Sequence, residues 1–480
     1  MGTIILEKLE NLVNSLFQPN DSPGSRLLER TLLLILYLFG VVLWVRFLNY
    51  GNIPNDRLDW ADITFPRLHV IQQAVQQGKL PLYVAEEYGL KEVTNLFLSI
   101  PDQILSPDVL LLGFLSIEQF IVIHLLFFYS LGYWGLLLFK GKYKLSFFAF
   151  LPLFLLFNFN GHIVSHLSVG HLTWASYFLY SFFFLLIFEI FDEQLLSWKW
   201  IARMSILQFF IFLSGGYHQF VWAMMFLFLV GIFIQRNRKP VLYSLVFSVF
   251  ITLFRILPAA LISGKIDIVF WFGFPNIERL FQGLFRIFLP EEAYFPLESV
   301  VDVMIWELNF YLSLLGMIFV IYFGVLFFRK EKDNDIFKVL IPSIIMLVLS
   351  IGNFYKVFFD SGIPILSGER VSARFFIMTL ITLIFVSCYQ FQEFINTKNN
   401  NYLKTGFFIV SMLVINDITQ HMSLWGIEKI IESFPSGIFY PLTLAVGNNS
   451  IYKSLMITGV VVSIISFIFI ITRVALKKKF

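Results

Sequence analysis

The chain is poor in charge and poorer still in cysteine. Of 480 residues, 14% are Asp, Glu, Lys or Arg and 58% are hydrophobic, too little polar surface to solvate the outside of a water-soluble protein. A soluble enzyme is thereby excluded. The 35 Lys and Arg nearly balance the 32 Asp and Glu, so the net charge of +3 leaves no basic stripe to grip nucleic acid. The single cysteine, Cys388, lies in an apolar run and supports neither an internal disulfide nor a cysteine-cluster metal site. Also missing are a Walker A loop, a dinucleotide-type Gly pattern, a nucleophile elbow and a His-Glu-x-x-His pair, which argues against nucleotide-driven chemistry. No repeat, low-complexity tract or appended soluble domain interrupts the chain.

What is abundant is phenylalanine, 60 residues of it, with a mean hydropathy of +0.77. Such a chain places most of its surface against hydrocarbon. A helix needs about 20 apolar residues to cross roughly 30 Å of bilayer core. Runs of this kind fall near 27–48, 118–139, 145–158, 172–191, 200–214, 217–235, 240–262, 308–328, 336–354, 371–391, 405–420 and 451–474, the third, fifth and eleventh being short. The expected fold class is therefore an all-α polytopic membrane protein of about 12 transmembrane helices, forming one domain over residues 27–480.

Sidedness follows from Lys and Arg in the short connections, which are retained on the cytoplasmic side. Lys140, Lys142 and Lys144, then Arg236, Arg238 and Lys239, then Arg329, Lys330 and Lys332, and finally Lys477, Lys478 and Lys479 all fall on one side if twelve spans are counted. Both termini are then cytoplasmic, in a plasma membrane, and the long loops 49–117 and 263–307 face outward. Residues 1–26 lack a signal-peptide pattern; Ile5, Leu9, Leu12, Val13, Leu16 and Phe17 recur as on an amphipathic helix lying at the interface.

The outer loop 49–117 holds the densest set of ionisable groups, and within it Leu68–Gln77 reads as a short helix lying on the membrane surface, stopped by Gly78 and the Leu80-Pro81 pair. A solvated face would account for many of these charges. Asp59 and Asp62, three residues apart just beyond the first span, can instead share a helical face at the membrane edge. A partly desolvated carboxylate there suits general-base work on a hydroxyl. His162 and His166 stand at i and i+4, with His171 following and His218 in the turn after the fifth span; all four fall in expected outer segments, as does His421. The i, i+4 pair has chelating spacing, so a divalent cation, Mg²⁺ or Mn²⁺, is one reading; hydrogen bonds to a polar ligand or a leaving phosphate are the other. Arg255 lies inside the seventh span, where it either snorkels or meets an anion such as lipid phosphate. Arg370 and Arg374, four apart at the start of the tenth span, face one direction and suit bidentate phosphate binding. Glu307 opens the eighth span as an interfacial anchor or a cavity-lining acid.

The order of these features resembles the GT-C superfamily of glycosyltransferases that use polyprenyl-phosphate sugars, closest to its bacterial YfhO-like members. The likeness runs from an acid in the first outer loop through Gly78-Lys79-Leu80-Pro81-Leu82-Tyr83 and Ser106-Pro107-Asp108 to Gly161-His162 and Gly170-His171. It continues through Arg255–Pro258, Glu307–Tyr311 and Arg370-Val371-Ser372-Ala373-Arg374-Phe375, covering roughly residues 27–390. The resemblance implies that Asp59, and next Asp62, acts as base or orients the acceptor, while outer arginines and histidines hold the donor's lipid phosphate. An Asp-Glu dipeptide in loop one and a large soluble C-terminal domain, present in the protein mannosyltransferases and oligosaccharyltransferases, are lacking here, which argues against peptide acceptors. The expected activity is inverting transfer from a polyprenyl-phosphate donor to an extracytoplasmic lipid or glycan acceptor. A transporter or flippase of lipid-linked saccharides stands second, and an O-antigen-type polymerase or ligase third.

Overall fold

The computed structural model describes residues 14, 16–17, 23–85, 96–191, 197–234, 238–261, 269–292, 294–295, 303–327, 338–397 and 401–476. Four of the six residues expected to form the N-terminal amphipathic face, residues 263–268, 293 and 296–302 of the 263–307 loop, and the basic groups Arg236, Arg329, Lys330, Lys332 and Lys477–Lys479 lie outside these.

The molecule is a helical, membrane-embedded protein. Its helices are α1 (Pro23–Phe47), α2 (Phe65–Gln76), α3 (Ile117–Lys142), α4 (Phe147–Asn158), α5 (Gly161–Ser168), α6 (Tyr180–Glu189), α7 (Trp198–Leu213), α8 (Tyr217–Phe233) and α9 (Arg238–Ile251). There follow α10 (Leu253–Ala260), α11 (Ile277–Phe285), α12 (Leu314–Ile321), α13 (Leu340–Leu349), α14 (Phe376–Thr397), α15 (Asn401–Leu424), α16 (Ile427–Ser433) and α17 (Ser450–Ala475). Among the described residues the only strands are a two-residue antiparallel pair, Tyr294–Phe295 with Val303–Met304.

A helix occupies each of the twelve apolar runs, but they are not equal. Seven among the described residues are long and apolar enough to cross a membrane, and an eighth if α9 and α10, bent by 65° at Thr252, are counted as one. The helices α8 and α13 are shorter, as is the apolar stretch from Leu314 to Leu326.

The third run is longer than its apolar core suggested. After a break at Phe159 and Asn160, α5 continues α4, the Asn160 side chain capping the new start by accepting from Ile163 N. His162 and His166 therefore sit inside a crossing segment rather than in an outer loop, and His421 likewise lies on α15. The helix expected at Leu68–Gln77 is present as α2, yet Leu68, Val70 and Ile71 are fully covered, so it is packed into the protein instead of floating on its surface.

The two ends of the bundle differ in chemistry. Where α3, α6 and α7 meet at one end, Lys142 and Arg203 both pair with Glu189 (2.9 and 2.6 Å), and Lys140 pairs with Glu29 of α1 at 2.5 Å. The 26 residues of α3 span about 39 Å, so its start, capped by the reciprocal Ser116–Gln119 bonds, lies a full membrane thickness away. The acids of the 49–117 segment, such as Asp108 beside His124 early in α3, collect toward that other end.

Candidate functional site

The polar core of the protein is assembled where the segment after α5 meets the 49–117 segment. Gly170 holds φ at +108°, and a Cβ there would lie 2.3 Å from Trp60 N, so only glycine lets the two backbones touch. Asp59 N donates to Val169 O, Trp60 Nε1 to Ser168 O, and Thr64 Oγ1 to Gly170 O. These bonds fix Asp59 against His171.

From Asp59 a chain of contacts runs inward. His171 Nε2 lies 2.5 Å from Asp59 Oδ2, and His171 Nδ1 lies 2.7 Å from His166 Nδ1. One arrangement of protons satisfies both contacts: His171 donates from Nε2 to the carboxylate, and His166 donates from Nδ1 to the remaining lone pair of His171. His166 Nε2 then carries no proton and points to Glu307, 3.5 Å away. Trp174 lies flat on His166, with ring centroids 3.9 Å apart and an interplanar angle of 3°.

Glu307 grips Arg374 with two bonds, Nε to Oε2 at 2.7 Å and Nη2 to Oε1 at 2.5 Å. Both side chains are buried, at 7% and 2% exposure. Arg374 also approaches Glu369 (3.5 Å), which accepts from Trp222 Nε1 at 2.8 Å and pairs with His218 Nδ1 at 2.9 Å. Burial by itself raises the Glu369 carboxyl, but His218, Arg374 and Trp222 together outweigh it and hold it down at about 2. Two hydrogen-bonded groups, Asp59–His171–His166 and Glu307–Arg374–Glu369–His218, thus meet where His166 Nε2 lies 3.5 Å from Glu307.

Arg370 is placed differently. Its guanidinium lies over the Trp271 ring, 4.2 Å from the centroid, half-buried, and no carboxylate among the described residues pairs with it. Burial and the like charge of Arg374 pull its pKa below the usual guanidinium value, opposed by Glu307, Glu369 and Asp59. Asp59 also acts on Arg374, so these charges share one electrostatic neighbourhood. Asp59 itself keeps 31% of its side chain exposed, the open end of the chain.

Eight of the ten expected site residues, Asp59, His162, His166, His171, His218, Glu307, Arg370 and Arg374, therefore come together. The other two do not. Arg255 spends its guanidinium on the carbonyls of Leu98 (2.9 Å), Ile100 (2.7 Å) and Pro101 (3.1 Å), since a buried cation takes the nearest acceptors. It staples the Leu98–Pro101 stretch to α10 instead of waiting for phosphate. Asp62 does not share a face with Asp59, because Trp60–Thr64 forms a wide π-type turn that rotates it to an exposed position.

Arg370 and Arg374 are also not neighbours on a helix face: Arg370 precedes the turn Ser372–Phe375, and its carbonyl accepts from Trp271 N. His162 is sealed among Phe310, Trp174, Trp222 and His166, and among the described residues neither ring nitrogen finds a hydrogen-bond partner. No group of three His, Cys, Asp or Glu among the described residues is disposed to hold a metal ion.

Glu369, Trp174 and Trp271 were missed by sequence reasoning. The acid adjoining Arg370 was the available signal for the first; nothing distinguished the two tryptophans from lipid-facing ones. A Cβ on Gly161 would lie 2.2 Å from Asn309 Oδ1, and Gly161 N donates to Tyr311 O, so the segment carrying Glu307 is locked to α5. No protein-family model matches this chain, and comparison with curated proteins returns no match.

Proposed function

We propose that the protein is a membrane glycosyltransferase of the GT-C type that moves a sugar from a polyprenyl-phosphate donor to a lipid or glycan hydroxyl outside the cytoplasm. The observation that carries this reading is the pairing of a half-open acid with an unpaired cation. Asp59, held by His171, stands in the same polar cluster as Arg370, whose guanidinium has an aromatic face beneath it and, among the described residues, no carboxylate against it.

In the proposed reaction Asp59 removes the acceptor's hydroxyl proton as the oxygen attacks the anomeric carbon from the face opposite the phosphate. The bond from that carbon to the phosphate oxygen breaks, and the lipid phosphate leaves with the electron pair, its charge set against Arg370. The His171 contact favours this role, because the bond that His171 donates orients the Asp59 carboxylate, on which the abstracted proton then resides. Arg374 is saturated by Glu307 and Glu369 and serves to position the cluster. No step is routed through a divalent ion.

Twelve crossings with cytoplasmic termini belong to the same proposal. The twelve helical runs and the Lys140, Lys142 and Arg203 ion pairs at the end remote from the start of α3 support it. A transporter needs polar groups along the whole path, whereas the buried acids and histidines of the cluster gather toward one end.

The test uses purified protein in lipid with short-chain polyprenyl-phosphate hexoses, following release of the lipid phosphate. Asp59→Asn and Asp59→Ala should each lower turnover by about 10²-fold or more, within the range of general-base contributions, while Asp62→Ala leaves it unchanged. Full turnover in both Asp59 variants removes the proposed base.

A further inference from the structure

The lipid-facing side of α15 carries a second pattern that the proposed transfer does not use. Tyr402, Gly406, Ile409, Leu413, Asn416, Gln420 and Ser423 follow a strict four-three spacing, and every one of them is exposed. That spacing is the 3.5-residue seam along which two helices pack in a left-handed coiled coil. A Cβ added at Gly406 would meet nothing within 4 Å, so the seam is open at its narrowest point.

The outer half of this seam is polar where lipid should be. Lys404, bonded to Asn14 Oδ1 at 2.5 Å, must keep its ammonium at the headgroup boundary. Asn416 lies twelve residues further along the helix, about 18 Å at 1.5 Å per residue and well within a hydrocarbon core of roughly 30 Å. Asp417, hydrogen-bonded by Asn416, is half-buried beside it, and Gln420 stands exposed one turn on. Amides facing hydrocarbon are costly unless another helix satisfies them.

We infer that this face of α15 is a self-association surface, and that its occupant is a second copy of the chain. The chemistry selects a copy over a basic partner. Asn and Gln each donate and accept, so under a two-fold axis along the membrane normal, identical residues at one depth satisfy each other. Polar side chains at such seam positions also set register and limit the assembly to one partner. The exposed large side chains of α17, by contrast, are aliphatic or aromatic, among them Ile457, Val461, Ile464 and Ile468, and offer no such pairing.

The native chain suits a cysteine cross-linking experiment, because Cys388 is buried and out of reach of an oxidant. Asn416→Cys and Gln420→Cys, oxidised in native membranes, should each give a covalent species of twice the chain mass, and Ile464→Cys should not. In lipid discs the wild-type protein should be dimeric, and Asn416→Leu/Gln420→Leu should raise the dissociation constant at least tenfold while keeping a monodisperse monomer. The inference is overturned by any of four results: no cross-linked dimer, an equal yield from Ile464→Cys, a cross-link to a polypeptide of another size, or a leucine variant that dimerises as well as wild type.

Discussion

Arg374 offers the sharpest test of the electrostatic scaffold. Its guanidinium makes two short bonds to Glu307 and approaches Glu369, and the Arg374–Glu307 pair is nine-tenths or more removed from solvent. Breaking one side of such a pair costs about 3–5 kcal/mol, because the surviving charge is left buried and uncompensated. Arg374→Met strands two carboxylates and belongs at the upper end, about 5 kcal/mol. Glu307→Gln keeps a carbonyl acceptor and leaves Glu369 as counter-charge, so it belongs at the lower end, about 3 kcal/mol. Changing both partners, in Glu307→Gln/Arg374→Met, leaves Glu369 with His218 and Trp222 still in place. The double variant should therefore lose less than the sum of the singles, with a coupling of about 2–3 kcal/mol. Thermal unfolding in detergent, followed by tryptophan fluorescence, reads these as midpoint shifts, and even at less than about 2–4 °C per kcal/mol the single losses amount to several degrees. An Arg374→Met protein as stable as wild type, or strictly additive losses, would refute the reasoning.

Gly170→Ala should be among the most damaging small substitutions, since its Cβ meets the Trp60 backbone; a loss of several degrees and of turnover together is expected, and unchanged values would count against the close approach. Arg370→Ala touches no ion pair among the described residues, so its unfolding midpoint should stay near wild type while affinity for a lipid phosphate, measured by titration in detergent, falls about tenfold or more. Arg255→Ala should do the reverse, lowering stability through the freed carbonyls of Leu98, Ile100 and Pro101 without a direct effect on phosphate affinity. Glu369 titrates at about 2 against 4.5 for the free side chain, a depressed value, so its stabilisation is complete above about pH 4.5 and is lost as pH falls toward 2. In Glu369→Gln the acid fall in midpoint should flatten over that window, and an unchanged acid limb would contradict the assignment.

Much of the fold was written in the apolar runs, because a bilayer demands long hydrophobic helices and little else imitates them. Their lengths were less legible. Asn160 and Gly161 read as a loop after the third run, whereas the Asn160 cap restarts a helix and draws His162 and His166 into the crossing segment. The members of the site were legible as residues costly to bury: His166, Glu307 and Arg374 have no cheap reason to be where they are. Their partners were not. Whether a buried cation faces a carboxylate, as Arg374 does, or backbone carbonyls, as Arg255 does, depends on which loop packs beside it, and sequence spacing holds no record of that. The π-type turn that separates Asp62 from Asp59 is equally invisible to a count of residues.

The bond between Asp59 and His171 joins positions 112 residues apart, and the grip of Glu307 on Arg374 joins two more that enter the membrane much later. A growing chain that has delivered only its early hairpins holds the acid and the imidazoles but not the counter-charges that quiet them. If the cluster performs the proposed transfer, turnover then waits until Arg374 has been inserted, and a chain truncated before that point is expected to be inactive.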